Sequence, residues 1–244
     1  MFTLASVHWE HVLMTALWGA LTSLERRAFL QAMISRPLVA GTVTGLLLHD
    51  SQAGLFIGVL FELLYLGATS LGGAQAEHET LPTVTAAAMA SAMGDESVSG
   101  DGTPAMMAIS VLLFAPVGAL GRMLEARLDA RASRYATRVL EAVDAGDVRR
   151  AVRQNLRALW PQFVFYGLLC GAAAALGTLM APLEHDVPPG VLRGLAWAWP
   201  AMGVAAAGVA LEGNRARGRF TWAGGAAVVT LVLAFGAWYL GKPP

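Results

Sequence analysis

Residues 53–71 read AGLFIGVLFELLYLGATSL, an apolar stretch of 19 residues whose single charge, Glu62, lies at its centre. A carboxylate at bilayer depth costs about 2.5–3.5 kcal/mol on insertion scales, so such a residue normally faces a water-filled cavity or a polar partner. The stretch therefore predicts a helix within a membrane and a functional role for Glu62. The alternative is structural: a neutral or ion-paired carboxyl group that joins two helices.

The whole chain has the composition of an integral membrane protein. Of its 244 residues, 56% are hydrophobic and 14% are charged, and the mean hydropathy is +0.54. A soluble domain typically carries about 25% charged residues. The sequence contains no metal-ligand spacing, no nucleophile–base arrangement and no nucleotide-binding loop. We therefore expect no catalytic residue, no metal, no cofactor and no nucleic-acid partner.

Uncharged runs define the organisation of the chain. Four of them are close to the roughly 20 residues that a membrane-spanning helix needs. These predicted spans are 103–121, 158–183, 194–211 and 220–241. Three N-terminal segments, 12–24, 37–49 and 80–94, have only 13 to 15 residues. Such lengths are typical of re-entrant or interfacial segments, and transporters build substrate sites from broken segments. We predict a single domain, 1–244, that is an all-α polytopic bundle with its site in residues 12–94.

The distribution of charge predicts the orientation in the membrane. Segment 122–157 contains nine arginines and five acidic residues, and three further arginines follow residue 211. Because basic loops stay in the cytoplasm, we expect segment 122–157 to be cytoplasmic. Apolar residues recur in it every three or four positions until Gly146, which predicts a helical hairpin. It is either a solvated extension of two membrane helices or a docking surface for a soluble partner, and its arginines can also meet anionic lipid headgroups.

Three pairs of glycines have the Gly-x-x-x-Gly spacing that permits close approach of helices. The pairs are Gly41/Gly45, Gly54/Gly58 and Gly167/Gly171. In a chain with 27 glycines such pairs are frequent, so we interpret them as ordinary helix packing.

Residues 36–75, RPLVAGTVTGLLLHDSQAGLFIGVLFELLYLGATSLGGAQ, resemble a known family of membrane proteins. The resemblance is to the membrane IIC component of the mannose/fructose/sorbose family of the bacterial phosphoenolpyruvate-dependent sugar phosphotransferase system (PTS). The residues that carry it are Arg36-Pro37-Leu38-Val39, Gly45, Asp50, Gly54, Gly58, Glu62, Leu66-Gly67 and Gly72. The stretch AGDVRRA at 145–151 is also similar to family members.

The resemblance implies a sugar-translocating subunit in the bacterial inner membrane. In this family the IIC and IID subunits together move a hexose-type sugar inward and present it to a phosphorylated IIB protein. The assembly is a trimer of IIC–IID pairs, and IIC itself carries no phosphorylated residue. Two alternatives are a diverged IIC paralogue with a regulatory or assembly role and an unrelated membrane carrier or enzyme.

Five residues are candidates for contact with the sugar. Glu62 can accept two hydroxyl hydrogens, and Ser70 and Gln75 can add polar contacts beside a Gly-rich break. Asp50 is a candidate contact or, alternatively, a helix cap. His78 can hydrogen-bond a hydroxyl or can belong to a solvated polar loop. The family often has Asn where this chain has Ser70, and Pro-Asp where it has Glu77-His78, so the sugar stays unidentified.

Overall fold

The computed structural model describes residues 8–26, 28, 30–66, 77–93, 102–182 and 187–213. The described residues form eight helices and no strand. The helices are α1 (Trp9–Glu25), α2 (Pro37–Leu47), α3 (Ser51–Tyr65), α4 (Thr80–Met93), α5 (Gly102–Phe114), α6 (Val117–Asp144), α7 (Val148–Met180) and α8 (Pro189–Gly213). The predicted fold class, an all-α membrane bundle with short segments in its N-terminal half, is confirmed.

Within the described residues, three stretches are long and apolar enough to cross a membrane. They are Thr103–Asp144, Val148–Met180 and Pro189–Leu211. The predicted span 158–183 lies largely within α7, and 194–211 lies within α8. The predicted span 220–241 lies outside the described residues.

The predicted span 103–121 is divided between two helices. Helix α5 ends at Phe114 and α6 begins at Val117, with Pro116 between them. Proline has no backbone N–H and its ring clashes with the carbonyl group four residues earlier, so it interrupts a helix. An uncharged run therefore indicates the membrane segment but not the break within it.

The α2–α3 hairpin is held together by backbone contact at glycines. A methyl group added to Gly54 would lie 2.7 Å from Gly45 Cα, and one added to Gly58 would lie 2.8 Å from Pro37 O. Gly41 meets Gly58 in the same way, with 2.9 Å between an added methyl group and the Gly58 Cα atom. The first two Gly-x-x-x-Gly pairs thus face each other, as ordinary packing would have them.

Helix α4 lies at the centre of the bundle. Every residue from Thr80 to Ser91 is buried, and α4 contacts α1, α2, α3, α5 and α7. Its sequence, TLPTVTAAAMASAM, is rich in small residues, which lets neighbouring backbones approach closely. A helix with a small-residue surface on all sides shows little amphipathic pattern, and its central position is not visible in the sequence.

Helices α6 and α7 form a long antiparallel hairpin. The turn lies at Ala145–Asp147, where Gly146 adopts a φ of 71° and the Asp147 side chain accepts a hydrogen bond from Arg150 N at 2.9 Å. A left-handed φ favours glycine, and the aspartate caps α7. The hairpin occupies the segment that the sequence predicts as a helical pair.

Candidate functional site

Arg26, Arg36 and Glu62 of the N-terminal half gather with Glu125 of α6 at one end of the bundle, which we call the polar end. The C-termini of α1 and α3, the N-termini of α2 and α4 and the first turns of α6 meet there. Hydrogen bonds to backbone oxygens join them: the Thr80 hydroxyl donates to Ser35 O at 2.8 Å, and His78 N donates to Gly118 O at 3.2 Å. The polar end therefore brings together residues that are distant in sequence.

Glu62 lies at the polar end in an ion pair. Its Oε1 atom is 3.2 Å from Arg36 Nη2, and its Oε2 atom accepts a hydrogen bond from Leu38 N at 3.3 Å. The pair is partly open, with side-chain exposures of 44% for Arg36 and 19% for Glu62. Because α3 ends at Tyr65, Glu62 occupies the last turn of a helix and not its middle.

This geometry serves both interpretations of Glu62. The ion pair joins the N-terminus of α2 to the last turn of α3, as the structural interpretation expects. A carboxylate has about four lone-pair sites, and the two contacts occupy only part of them. The remaining sites of Glu62 and the guanidinium donors of Arg36 can reach a ligand.

A second ion pair at the polar end is buried. Arg26 Nη1 lies 2.6 Å from Glu125 Oε1, with side-chain exposures of 15% and 3%. Arg26 Nη2 also donates to the backbone oxygen of Glu77 at 3.0 Å. One guanidinium thus joins the end of α1, the first turns of α6 and the segment that leads into α4.

Glu25 holds the connection between α1 and α2. Its side chain is buried, and its Oε2 atom accepts a hydrogen bond from Ser35 N at 2.8 Å. Burial acts to raise the pKa of Glu25, but hydrogen bonds from Ser35 and neighbouring backbone groups prevail and lower it below its ordinary value. In the same connection Leu30, Gln31 and Met33 adopt φ between 50° and 64°, a conformation that costs non-glycine residues energy.

Glu79 is a further carboxylate of this group. Burial raises the pKa of Glu79, and the Glu62 carboxylate acts in the same direction, whereas Arg26 and Arg36 oppose the shift. Glu79 therefore lies within electrostatic reach of both ion pairs. The polar end contains carboxylates and guanidinium groups in close proximity, which is the chemistry needed to bind several hydroxyl groups.

His78 is completely buried. Its Nδ1 atom accepts a hydrogen bond from Leu81 N at 3.1 Å, and its ring packs on Tyr166 with 4.8 Å between centroids. Its Nε2 atom lies 3.8 Å from Glu125 Oε1. His78 is thus part of the packing at the start of α4 and not of a solvated loop.

Asp50 lies at the opposite end of the α2–α3 hairpin. Its side chain accepts a hydrogen bond from Ala53 N at 3.0 Å and caps α3, as the helix-cap interpretation predicts. Glu62 lies twelve positions after Asp50, which is about 18 Å along the helix axis at 1.5 Å per residue. A single hexose cannot touch both side chains in this arrangement.

Ser70 and Gln75 lie outside the described residues. The described chain ends at Leu66 on one side of them and resumes at Glu77 on the other. Leu66 directly follows the last turn of α3, and the backbone of Glu77 contacts Arg26. Both flanks of the Gly-rich segment therefore lie at the polar end.

Arg26, Glu125 and Glu79 belong to the polar end but are not among the five candidates from the sequence. Arg26 and Glu125 are 99 residues apart, and Glu125 is one of five acidic residues in a segment whose excess of arginine indicates only its orientation. One signal existed: Glu125 follows Gly118 and Gly121 at helical spacing, and all three are buried on one face of α6. Because a buried charge without a partner is costly, a carboxylate on such a packed face is expected to be paired.

Comparison with known proteins identifies a family. The family description "PTS system sorbose-specific IIC component" matches residues 9–213 of this chain. A sorbose-specific EIIC component of Klebsiella pneumoniae is 34% identical over 89 residues, which are 36% of this chain. That match spans 30% of the length of the relative.

Two solved structures share the fold. One, described only as a membrane protein, has a TM-score of 0.61 and 18% sequence identity and covers 100% of this chain and 98% of its own. The cryo-EM structure of the mannose transporter ManYZ with microcin E492 has a TM-score of 0.59 and 18% identity and covers 98% of this chain and 97% of its own. At this identity the likeness concerns the fold alone.

Proposed function

The chain belongs to the family of sorbose-specific IIC components of the PTS, and from that premise we propose that it translocates a hexose-type sugar for a phosphoenolpyruvate-dependent system. In this proposal the sugar moves inward and is then phosphorylated by a IIB protein. The observation that carries the proposal is the family match over residues 9–213. IIC components are membrane transport subunits, so this chain supplies the path and not the phosphoryl group.

The proposed sugar site is the open part of the polar end. The Arg36–Glu62 pair supports it, because both side chains are partly exposed and carry unused hydrogen-bonding capacity. Hydroxyl groups of a sugar both donate and accept, and an adjacent carboxylate and guanidinium satisfy both roles. Ser70 and Gln75 are further candidates for this site, because the described residues on either side of them, Leu66 and Glu77, lie at the polar end.

The other two candidates take supporting roles in this proposal. His78 is buried among packed side chains, and Asp50 caps the far end of α3. His78 acts on the sugar only indirectly, by fixing the start of α4 beside Glu79. Asp50 sets the turn that places α3, and with it Glu62, against α2.

The proposed partners are the IID membrane subunit and the IIB protein, in a trimer of IIC–IID pairs in the bacterial inner membrane. The α6–α7 hairpin lies in the cytoplasm in this arrangement. Its excess of arginine supports that orientation, because basic segments remain on the cytoplasmic side. The sugar would therefore leave the polar end on the side where the IIB protein is found.

Phosphoenolpyruvate-dependent uptake of a panel of hexoses by the complete system tests the proposal. We expect uptake of at least one hexose with the wild-type chain and a loss of about tenfold or more with Glu62→Gln, since a hydrogen bond to a charged group is worth about 1.5–3 kcal/mol. The matched control is Glu141→Gln, which neutralises an exposed acid on α6. No uptake of any hexose by the wild type would contradict the proposed function.

A double variant separates the sugar role from the structural one. If Glu62 serves only to neutralise Arg36, then Arg36→Gln combined with Glu62→Gln should restore uptake, because neither charge is left unpaired. If the pair contacts the sugar, the double variant accumulates in the membrane like the wild type and stays inactive.

A further inference from the structure

The first thirteen residues of α7, VRRAVRQNLRALW, expose a row of apolar side chains. Val148, Val152, Leu156 and Trp160 follow one another at intervals of four residues and are between 54% and 71% exposed. Residues four apart lie on one side of a helix. These four side chains therefore form a continuous ridge, which we call the α7 ridge, and the described chain does not cover it.

A basic row runs beside this ridge. Arg149, Arg153 and Arg157 also follow at intervals of four and are exposed. Each of these arginines lies three positions before a residue of the ridge, and residues three apart are neighbours on the surface of a helix. The basic row therefore runs alongside the ridge. The ten residues from 148 to 157 contain four arginines and no acid.

A cleft borders the other side of the ridge. It lies between α6 and α7, has a volume of about 620 Å³ and is lined by mainly apolar side chains. Its lining includes Leu128, Tyr135, Val139, Leu140, Asn155 and Leu159. Asn155 and Leu159 follow Val152 around the same side of α7, so the cleft adjoins the ridge. It has the size of a pocket that accepts several apolar side chains.

The position of the ridge argues against lipid as its cover. The uncharged part of α7 begins at Ala158, and Val148 lies ten residues earlier, about 15 Å along a helix axis. The headgroup layer on one side of a bilayer is about 5–8 Å thick. Trp160 can lie in that layer, but Val148 and Val152 extend beyond it.

We propose that the α7 ridge and its cleft dock a helix of a partner protein whose apolar face is flanked by Asp and Glu. The apolar ridge and cleft receive the apolar face, and the row of arginines pairs with the acids beside it. Residues 148–157 of a second copy would bring four more arginines and no acid to the ridge. The inference rests on the proposed function in one respect, the choice of proteins used to test it. These are the IIB protein and the IID subunit of the same system.

Cysteine labelling tests the inference on the full-length chain in lipid nanodiscs. The sequence contains one cysteine, and Cys170 is fully buried, so an introduced thiol is the reactive one. Leu156→Cys places a thiol on the ridge, and Val152→Cys provides a second position if the first variant folds poorly. The control is Ala130→Cys, an exposed position on α6 that does not line the cleft.

We expect the maleimide reaction of Leu156→Cys to slow about tenfold or more, equivalent to about 1.4 kcal/mol, when purified IIB is added or IID is co-expressed. The reaction of Ala130→Cys should not change. High salt, near 1 M where the Debye length is about 3 Å, and Arg153→Glu should each abolish the protection. Protection that survives both would contradict an acidic partner.

Three other results would overturn the inference. Equal labelling with and without both proteins would show that the ridge docks neither. Slower labelling in anionic than in neutral nanodiscs, with no protein added, would assign the ridge to lipid. Protection that rises with the concentration of this chain alone would assign it to a second copy. Sugar uptake measured in parallel distinguishes failure of docking from failure of the proposed transport function.

Discussion

The two ion pairs of the polar end differ in exposure, and the difference decides which of them a ligand can reach. Arg26 and Glu125 are 2.6 Å apart, and Glu125 is only 3% exposed. Arg36 and Glu62 are 3.2 Å apart, with exposures of 44% and 19%. A ligand can reach the second pair but not the first. The buried pair thus joins helices, and the open pair is accessible to a ligand.

The same comparison predicts opposite consequences of mutation. Removing one partner of a buried pair leaves an uncompensated charge in a poorly solvated place. Removing one partner of an open pair leaves a charge that water can solvate, so exposed pairs contribute only about 0–1 kcal/mol to stability. Loss of Arg26 or Glu125 should therefore reduce folding, whereas loss of Glu62 should reduce transport.

Arg26→Met should have the largest effect. We expect the free energy of unfolding to fall by about 3–5 kcal/mol, because Glu125 would remain buried without its cation. Thermal unfolding of the detergent-solubilised protein measures the change, with Arg122→Met as the control, since Arg122 is exposed on the same helix as Glu125. A stability loss no greater than that of the control would show that the pair is not structural.

Replacing both buried partners should be milder than replacing one. Arg26→Met combined with Glu125→Leu leaves no buried charge, and an apolar replacement of a buried pair is often neutral. We expect the double variant to be more stable than Arg26→Met alone, by the same thermal measurement. If the stability lost by the double variant equals the sum of the losses of Arg26→Met and Glu125→Leu measured separately, the two side chains are not paired.

Glu62→Gln should leave stability nearly unchanged and impair transport. We expect a change in the free energy of unfolding below about 1 kcal/mol and a loss of uptake equivalent to about 1.5–3 kcal/mol. Uptake and thermal unfolding are measured on the same preparations. A variant that unfolds early and transports in proportion to its folded fraction would place Glu62 with the structural pair.

Gly58→Ala tests how the open pair is positioned. An added methyl group would lie 2.8 Å from Pro37 O and 3.2 Å from Leu38 Cα, so α2 must shift beside the Leu38–Glu62 hydrogen bond. We expect a destabilisation of about 1–3 kcal/mol, typical of overpacking, together with reduced uptake. Gly203→Ala in α8 is the control, because no atom lies within 4 Å of its added methyl group. Equal behaviour of the two variants would contradict close packing of the hairpin.

Glu25 predicts a small dependence of stability on pH. The pKa of Glu25 is lower in the folded protein than its ordinary value of 4.5. The ionised carboxylate therefore stabilises the folded protein fully above pH 4.5, and this stabilisation is lost as the pH falls through the lower pKa of the folded state. We expect Glu25→Gln to reduce the acid sensitivity of unfolding below about pH 4.5, with Glu10→Gln, an exposed acid of α1, as the control. Identical pH profiles for wild type and Glu25→Gln would contradict the lowered pKa.

The sequence predicts the helical membrane fold because length, charge and hydropathy are properties of single segments. It also indicates that Glu62 is unusual and that Asp50 can cap a helix, since both inferences need only local sequence. Whether Glu62 contacts a sugar stays a prediction, and Ser70 and Gln75 lie outside the described residues.

The ion pairs are not visible in the sequence, because each joins segments that only the fold brings together. Arg26 meets Glu125 across 99 residues, and the glycines that precede Glu125 at helical spacing indicate a packed face of α6 but not which cation pairs with the acid. The burial of His78 depends likewise on Tyr166 and Gly121 of other helices. Contacts between helices that are distant in sequence depend on how the helices pack, and a hydropathy pattern does not specify that packing.

Affinity for the transported sugar tests the contrast between the two pairs most directly. The Kd is measured for the folded protein with its IID subunit, for wild type, Glu62→Gln and Glu125→Gln. We predict a Kd about tenfold or more higher for Glu62→Gln and within about twofold of wild type for Glu125→Gln. An unchanged Kd for Glu62→Gln, or an equal rise for Glu125→Gln, would contradict the assignment of the open pair to the sugar.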